Sequence, residues 1–273
     1  MGKFEGILLV SDIDATLFNR EHHVSEENAQ AIEYFKSEGG YFTFITGRMP
    51  FFVTDIYNTI NPNAPFGCIN GGGLYDHAKQ EYVFTRELER SALELVEYAD
   101  KNIADLGIQV NTFEKIYFSR ENEAMANIRR VTGLPNITAH YHDVKEPIGK
   151  IVFGDTDEEK IFALRDLLFS HPRSDEFDYI RSEHTLYEIL PKGVNKGSVL
   201  PRLCEYLGTN PKRTVAVGDY NNDVAMLKSA GIGVAVANAC REAKEAADHI
   251  TVSNEEHAIA KIIHDIENGI LKI

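Results

Sequence analysis

Two carboxylates, Asp12 and Asp14, stand two residues apart directly after the apolar run Ile7-Leu8-Leu9-Val10. The run is too short for a helix and rich in branched residues, so it predicts a fully buried strand. Close carboxylates repel each other and resist desolvation, so a buried strand ending in Asp-x-Asp needs a reason. Capping a turn is one reason; acid, base or metal-binding chemistry is another. Two more apolar runs end in the same style. Tyr41-Phe42-Thr43-Phe44-Ile45 runs into Thr46-Gly47-Arg48, and Thr214-Val215-Ala216-Val217 runs into Gly218-Asp219-Tyr220-Asn221-Asn222-Asp223. In open α/β sheets, ligands bind beyond the carboxyl ends of the strands. Strand ends that carry complementary polar groups therefore point to one site.

The groups so assembled are the carboxylates Asp12, Asp14, Asp219 and Asp223, the Thr46 hydroxyl, the Asn222 amide and Lys196. A cluster this anionic calls for a cation, and an all-oxygen donor set favours Mg²⁺ over Zn²⁺, with substrate phosphate completing the shell. A bound metal would also give an acidic chain, with formal charge −14, the local positive charge an anionic substrate needs. Lys196 reads as the start of a helix, where the macrodipole disfavours a cation. That odd placement, between Gly193 and Gly197, points to a phosphate contact. Asn222 and Asp223 serve equally well as N-caps of the helix that follows. Arg48 directly follows the Thr46 loop and is placed to face substrate. Asn70-Gly71-Gly72 follows another apolar run, where glycine backbone can approach a ligand closely.

The elements that must position these groups fall into three blocks. Ser25 reads as an N-cap, and Ala29, Ile32 and Phe35 at helical spacing predict a helix that Gly39-Gly40 closes. A second helix is predicted over about 49–60, stopped by Asn61-Pro62, and a third strand over 66–69. This β-α-β-α-β order predicts a parallel sheet flanked by helices. From about Tyr82 the pattern changes. Helices over 91–106, 121–131 and 157–169 alternate with strands near 108–110, 116–118, 149–154, 177–180 and 185–190. That block predicts an α+β unit with a partly exposed sheet. After Pro191 the first style returns, with a helix over 198–207, strands over 214–217 and 232–237, and helices near 241–247 and 255–269. The expectation is an α/β fold: a doubly wound, mostly parallel Rossmann-like sheet from residues 1–82 and 190–273, interrupted by an inserted α+β domain at 83–189.

Composition narrows the function further. The chain has 273 residues, 43% hydrophobic and 26% charged, ordinary for a soluble globular protein. Its acidity argues against nucleic acid as a partner. Cys68, Cys204 and Cys240 are odd in number and far apart, which predicts reduced thiols in a cytoplasmic protein. No apolar run approaches membrane-spanning length, so no membrane partner is expected. A monomer or small homo-oligomer is anticipated. His140-x-His142 would place two imidazoles on one strand face, but no third metal ligand is evident. His22 and His23 fall in a polar loop after the first strand, and Phe51, Phe52 and Tyr57 read as core.

Taken together, Asp12-Ile13-Asp14-Ala15-Thr16-Leu17, Thr46-Gly47-Arg48, Lys196 and Gly218-Asp219-Tyr220-Asn221-Asn222-Asp223 resemble, in order, the four motifs of the haloacid-dehalogenase superfamily. The Gly-Asp-x-x-Asn-Asp ending and the insertion between the second and third motifs resemble the Cof-type phosphatases, which carry a type IIB cap. Ala15 stands where that family usually has Gly. The resemblance implies that Asp12 is the nucleophile that becomes an aspartyl phosphate. Asp14 would be the general acid and then the base. It further implies Mg²⁺ held by Asp12, the Asp14 backbone carbonyl and Asp219, with Asp223 orienting a water ligand. Thr46, Gly47, Lys196 and Asn222 would bind phosphoryl oxygens. The loop with His22 and His23 would form a flap. The cap would set specificity, with Arg181, Glu183 and His184 as the first polar residues to test. The implied activity is Mg²⁺-dependent hydrolysis of small phosphorylated metabolites, sugar phosphates foremost. A phosphomannomutase-like phosphotransferase is the alternative among enzymes. A non-catalytic sugar-phosphate sensor is the alternative outside them, though a sensor has little reason to keep Asp12, Asp14, Lys196 and Asp219 together.

Overall fold

The opening apolar run forms strand β1 (Leu8–Ser11), buried along its whole length. The structure, a computed structural model, describes residues 2–273. β1 lies between β2 (Tyr41–Phe44) and β11 (Thr214–Gly218) in a five-stranded parallel sheet completed by β12 (Ile232–Ala235) and β13 (His249–Ile250), in the order β13-β12-β11-β1-β2. β1, β11 and β12 are buried along their length and β2 nearly so, which is why they read as unbroken apolar runs rather than alternating ones, whereas the edge strand β13 is exposed. The chain leaves β1 toward β2 on one side and returns through β11 on the other. The strand order therefore reverses at β1, and a crevice opens beyond its carboxyl end. Ser11 is in register with Val217 and with Phe44, so Asp12, Thr46 and Asp219 all emerge at that end.

Helix α1 (Glu26–Ser37) begins as the sequence predicts, with the Ser25 hydroxyl accepting the Asn28 amide. It is tied to α9 (Ala258–Glu267) by a hydrogen bond from the Ala260 amide to the buried Asn28 side chain, at 2.9 Å. The predicted helix over 49–60 is two pieces, a single 3₁₀ turn at Pro50–Phe52 and α2 (Thr54–Ile60), separated at Val53. Phe51 is exposed rather than core. The run over 66–69 differs more. β3 (Phe66–Cys68) touches the parallel sheet through one bridge, Ile45 to Gly67, and pairs antiparallel with β4 (Gly73–Asp76), which continues to β5 (Glu81–Thr85). Ile69, Asn70 and Gly71 all have positive φ, between +53° and +93°. That reverses the chain before any crossover helix can form. α6 (Leu200–Leu207), α7 (Val224–Ser229) and α8 (Arg241–Ala246) complete this unit, which comprises the chain up to Phe84 together with Asn195–Ile273.

The second unit, Thr85–Val194, carries its own five-stranded antiparallel sheet. Its strands are β6 (Gly107–Thr112), β7 (Ile116–Arg120), β8 (Ile148–Gly154), β9 (Phe177–Glu183) and β10 (Leu186–Pro191), in the order β7-β6-β8-β10-β9. α3 (Ala92–Asn102) and α5 (Glu158–Ser170) pack one face through Leu95, Val96, Leu164 and Leu168. α4 (Glu123–Thr132) packs against β6 and is capped by Asn122. The predicted helix over 91–106 stops at Asn102, because Ile103 is extended. Exposure of the sheet is confined to its edge strands β7 and β9; β6, β8 and β10 are buried on both faces. His140 and His142 lie in a loop, not on a strand. Their rings stack 5.5 Å apart and His142 faces Glu97. Among the described residues, no helix is long and apolar enough to cross a membrane.

Candidate active site

Asp12 is the first residue beyond β1, and its amide donates to the Val217 carbonyl at 2.8 Å, continuing the ladder with β11. Its side chain is buried and accepts from Lys196 Nζ at 2.6 Å. The same ammonium donates to Asp223 Oδ1 at 2.7 Å. Lys196 is thus a buried bridge between two carboxylates, and it does not stand at a helix start. α6 begins only at Leu200, so no helix terminus opposes its charge. Gly71 is what admits the Lys196 loop. Its φ is +93°, and a Cβ there would lie 2.1 Å from the Asn195 carbonyl oxygen.

Asp223 does not cap the helix that follows. Its Oδ2 reaches back to accept the amides of Asp219 and Tyr220 at 2.9 and 3.0 Å, which fixes the turn carrying Asp219. The carboxylate lies against Gly218, where a Cβ would come within 2.5 Å of the Asp223 Cβ. Asp219 in turn accepts from the Thr16 hydroxyl at 2.9 Å. That donor was legible only as part of the first motif, with no partner assigned. Oxygens of Asp12, Asp219 and Asp223 all lie within 4.8 Å of one another.

Electrostatically the cluster is unbalanced: three carboxylates surround one ammonium. Burial pushes the Asp12 carboxyl well above the usual range; Lys196 offsets this only in part, and the neighbouring carboxylates add to it. Burial and the charge of Asp223 raise Asp219 to about 6. Burial works against the Lys196 ammonium, but Asp12 and Asp223 outweigh it and hold the proton more firmly than on an ordinary lysine. An all-oxygen donor set with surplus negative charge fits a hard divalent cation.

Asp14 lies outside this triad. It is half exposed, and both its oxygens accept from Arg48, from Nε at 3.0 Å and from a terminal guanidinium nitrogen at 2.6 Å. The guanidinium also lies over the Phe18 ring. Arg48, expected to face substrate, grips the second carboxylate of the opening motif. Its spacing from Asp14, 34 residues, hid the pair from sequence reading. Between them Ala15 adopts φ +57°, the left-handed region that favours glycine, and its carbonyl accepts from Asn238.

Thr46 is buried and bonded through its backbone to Gly67 and Asn70, while its hydroxyl accepts the Arg48 amide at 3.2 Å. Gly47 packs on the fully buried Asn70 side chain. Asn222 reaches the same Asn70 amide at 3.5 Å. Ile69 at φ +53° is a branched residue in a conformation it rarely adopts. Such strain costs about 1–3 kcal/mol and gathers at functional sites. Asp12, Asp219, Asp223, Lys196, Thr46, Gly47, Asn70, Gly71 and Asn222 thus share the strand-end region of the first unit. Arg181 and His184 belong to the second unit. There Arg181 pairs with Glu158, lies over Phe162 and donates to the His184 carbonyl, and His184 itself is exposed.

Comparison with known proteins agrees with this geometry. A family model described as haloacid dehalogenase-like hydrolase matches residues 9–263. The chain is 28% identical over 257 residues to the 5-amino-6-(5-phospho-D-ribitylamino)uracil phosphatase YcsE of Bacillus subtilis, covering 94% of each chain. It is 27% identical over 270 residues to YitU, a phosphatase of the same description from that organism, covering 94% of this chain and 96% of the relative. Among solved structures, a haloacid dehalogenase-like hydrolase from Bacteroides thetaiotaomicron superposes with a TM-score of 0.81 at 25% identity, covering 95% of this chain and 99% of that one. The chain belongs to the haloacid dehalogenase-like hydrolase family and is a phosphoric monoester hydrolase.

Proposed function

We propose that the protein hydrolyses the phosphate ester of a small sugar-like metabolite in a Mg²⁺-dependent reaction that passes through a phosphorylated Asp12. The observation that carries this reading is the buried, unbalanced cluster of Asp12, Asp219 and Asp223 around Lys196 at the point where the strand order reverses. A metal ion would be held by Asp12 and Asp219, with Asp223 behind them. When bound, it supplies positive charge to the developing charge on the phosphoryl oxygens.

The residues of the chain divide the remaining work. Asp12 is fixed by its backbone bond to β11 and by Lys196, so its carboxylate is aimed before substrate arrives. It attacks phosphorus and the ester oxygen departs. Asp14 donates a proton to that oxygen and later takes one from the water that hydrolyses the intermediate. Arg48 orients the Asp14 carboxylate through its two hydrogen bonds. Lys196, the Thr46 hydroxyl, the Gly47 backbone and Asn222 bind the transferring phosphoryl group. The inserted second unit sets specificity. Support for a sugar-like substrate comes from YcsE and YitU, whose names describe a phosphorylated ribityl compound.

The reading is tested by phosphate release from a panel of phosphorylated metabolites with Mg²⁺ and with chelator. Release that is lost with chelator and restored by Mg²⁺ is expected. Transfer of the phosphoryl group to a second sugar in preference to water would identify a phosphotransferase instead.

A further inference from the structure

The turn from Asp12 to Phe18 is held by residues that follow two other strands of the same sheet. Beyond β12, Asn238 Nδ2 donates to the Ala15 carbonyl at 2.8 Å, while its Oδ1 accepts the Asn254 amide at 3.0 Å. Beyond β13, the buried Asn254 side chain donates to the Phe18 carbonyl at 2.8 Å. The two carboxamides thus form one brace that grips the turn's backbone on either side of Thr16 and Leu17. The brace is itself anchored. The Ala237 amide donates to the Val252 carbonyl at 3.1 Å, which joins the two loops. The Ser253 amide and hydroxyl both donate to the Glu256 carboxylate, at 3.2 and 2.7 Å, and so close the turn that carries Asn254.

The conformation of the gripped segment explains why it needs outside support. Ala15 sits at φ +57° and ψ 11°, where a Cβ crowds the following carbonyl oxygen. The penalty is comparable with the net gain from one hydrogen bond, so bonds from outside decide whether the turn keeps its shape. Asp12 is fixed to β11, and the Phe18 amide is fixed to the Ile13 carbonyl at 2.8 Å. A rotation at Ala15 must therefore be absorbed by its neighbour, Asp14. Arg48 holds the Asp14 carboxylate, but not the backbone from which it hangs.

We propose that Asn238 and Asn254 are positioning residues for Asp14, holding Ala15 in the left-handed conformation that aims the Asp14 carboxyl at the ester oxygen. They act through the Ala15 and Phe18 carbonyls and touch no reacting atom. The proposal rests on the reading above, in which Asp14 protonates the leaving group.

The test reads the dependence of rate on the leaving group. An alkoxide leaves only with a proton, whereas para-nitrophenolate leaves without one. The ratio of kcat/KM for an alkyl ester to kcat/KM for para-nitrophenyl phosphate therefore isolates the acid role of Asp14. The alkyl ester is the one hydrolysed fastest in the metabolite panel. Asn238→Ala is expected to lower kcat/KM about tenfold for that ester and less than about twofold for para-nitrophenyl phosphate. Asn238→Asp should match it, because the carboxylate still accepts the Asn254 amide but has no proton for the Ala15 carbonyl. Asn254→Ala should lower the ratio about fivefold. Glycine adopts the left-handed conformation freely, so in an Ala15→Gly background Asn238→Ala should lower the ratio less than about threefold. A purely structural role would slow both esters alike and leave the ratio unmoved. An unmoved ratio in both Asn238 variants, with Asp14→Asn lowering it, would overturn this inference alone. An equal fall in the two backgrounds would overturn the dependence on Ala15. An unmoved ratio in Asp14→Asn would overturn the acid role of Asp14, and the positioning role with it.

Discussion

Among the described residues, Lys196 and Lys150 are each buried against carboxylate, and the two arrangements are built differently. In the first unit Lys196 faces three carboxylates, on loops that carry positive φ at Ala15, Ile69 and Asn70. In the second unit Lys150 faces one carboxylate, Glu188, on the regular ladder of a sheet. The first cluster is short of positive charge and strained, so it stands ready for a cation and an anionic substrate. The second is neutral and sits on regular strands, so it asks for no further charge.

The largest effect that could break this contrast is on turnover. Asp12→Asn should lower phosphate release to below about one thousandth of wild type. It should do so with no loss of melting temperature, because the amide oxygen still accepts from Lys196 and one repelling charge is gone. Retained activity would remove Asp12 from the reaction. Next comes stability. Lys196→Met leaves Asp12 and Asp223 buried without a counter-charge and should cost about 3–5 kcal/mol in denaturant unfolding. Replacing Lys150 and Glu188 together by Met and Leu should change stability by less than about 1.5 kcal/mol. Equal losses at the two sites would erase the distinction between an unbalanced and a balanced cluster.

A smaller effect is expected in pH dependence. Burial raises Asp219 to about 6, above the range of an unfolded aspartate. The folded state then binds more protons than the unfolded one between about pH 4 and 6, so metal-free stability falls as pH rises through that window. Mg²⁺ should raise the melting temperature more at pH 7.5 than at pH 5, where protons compete for the same oxygens. A pH-independent increment would argue that the ion binds elsewhere. Arg48→Ala should then reduce kcat about tenfold by freeing Asp14, with less than about 1 kcal/mol of stability lost, since the pair is partly exposed. Ala15→Gly should have the smallest effect, a gain of up to about 1 kcal/mol from relief of the left-handed conformation.

How much of this was legible in the sequence follows from distance along the chain. Asp12, Thr46 and Asp219 stand at strand ends, and an apolar run that stops abruptly is readable from neighbouring residues alone. Contacts that join remote segments were not readable. Lys196 was placed in the site, but at a helix start and as a phosphate contact; nothing local says that Gly71 lets its loop fold inward to bridge Asp12 and Asp223. The Arg48 clamp on Asp14, the Thr16 bond to Asp219 and the Lys150–Glu188 pair escaped for the same reason. The strand at Phe66–Cys68 was read as a third parallel strand, and it does meet the core sheet in parallel, but through the single Ile45–Gly67 bridge. Three successive positive φ values after it add an antiparallel hairpin with β4 that no local pattern announced. The imidazoles at His140 and His142 were set on a strand by alternation, yet their segment forms a loop.

The central claim is that the unbalanced cluster exists so that Asp12 can carry a phosphoryl group. Borohydride reduction of an enzyme quenched during turnover with Mg²⁺ and substrate would convert an aspartyl phosphate to homoserine, which mass spectrometry of the peptide containing residue 12 would locate. Homoserine at position 12, absent without substrate and absent in Asp12→Asn, is the predicted result. Reduction at another aspartate during full turnover, with position 12 unchanged, would contradict the account.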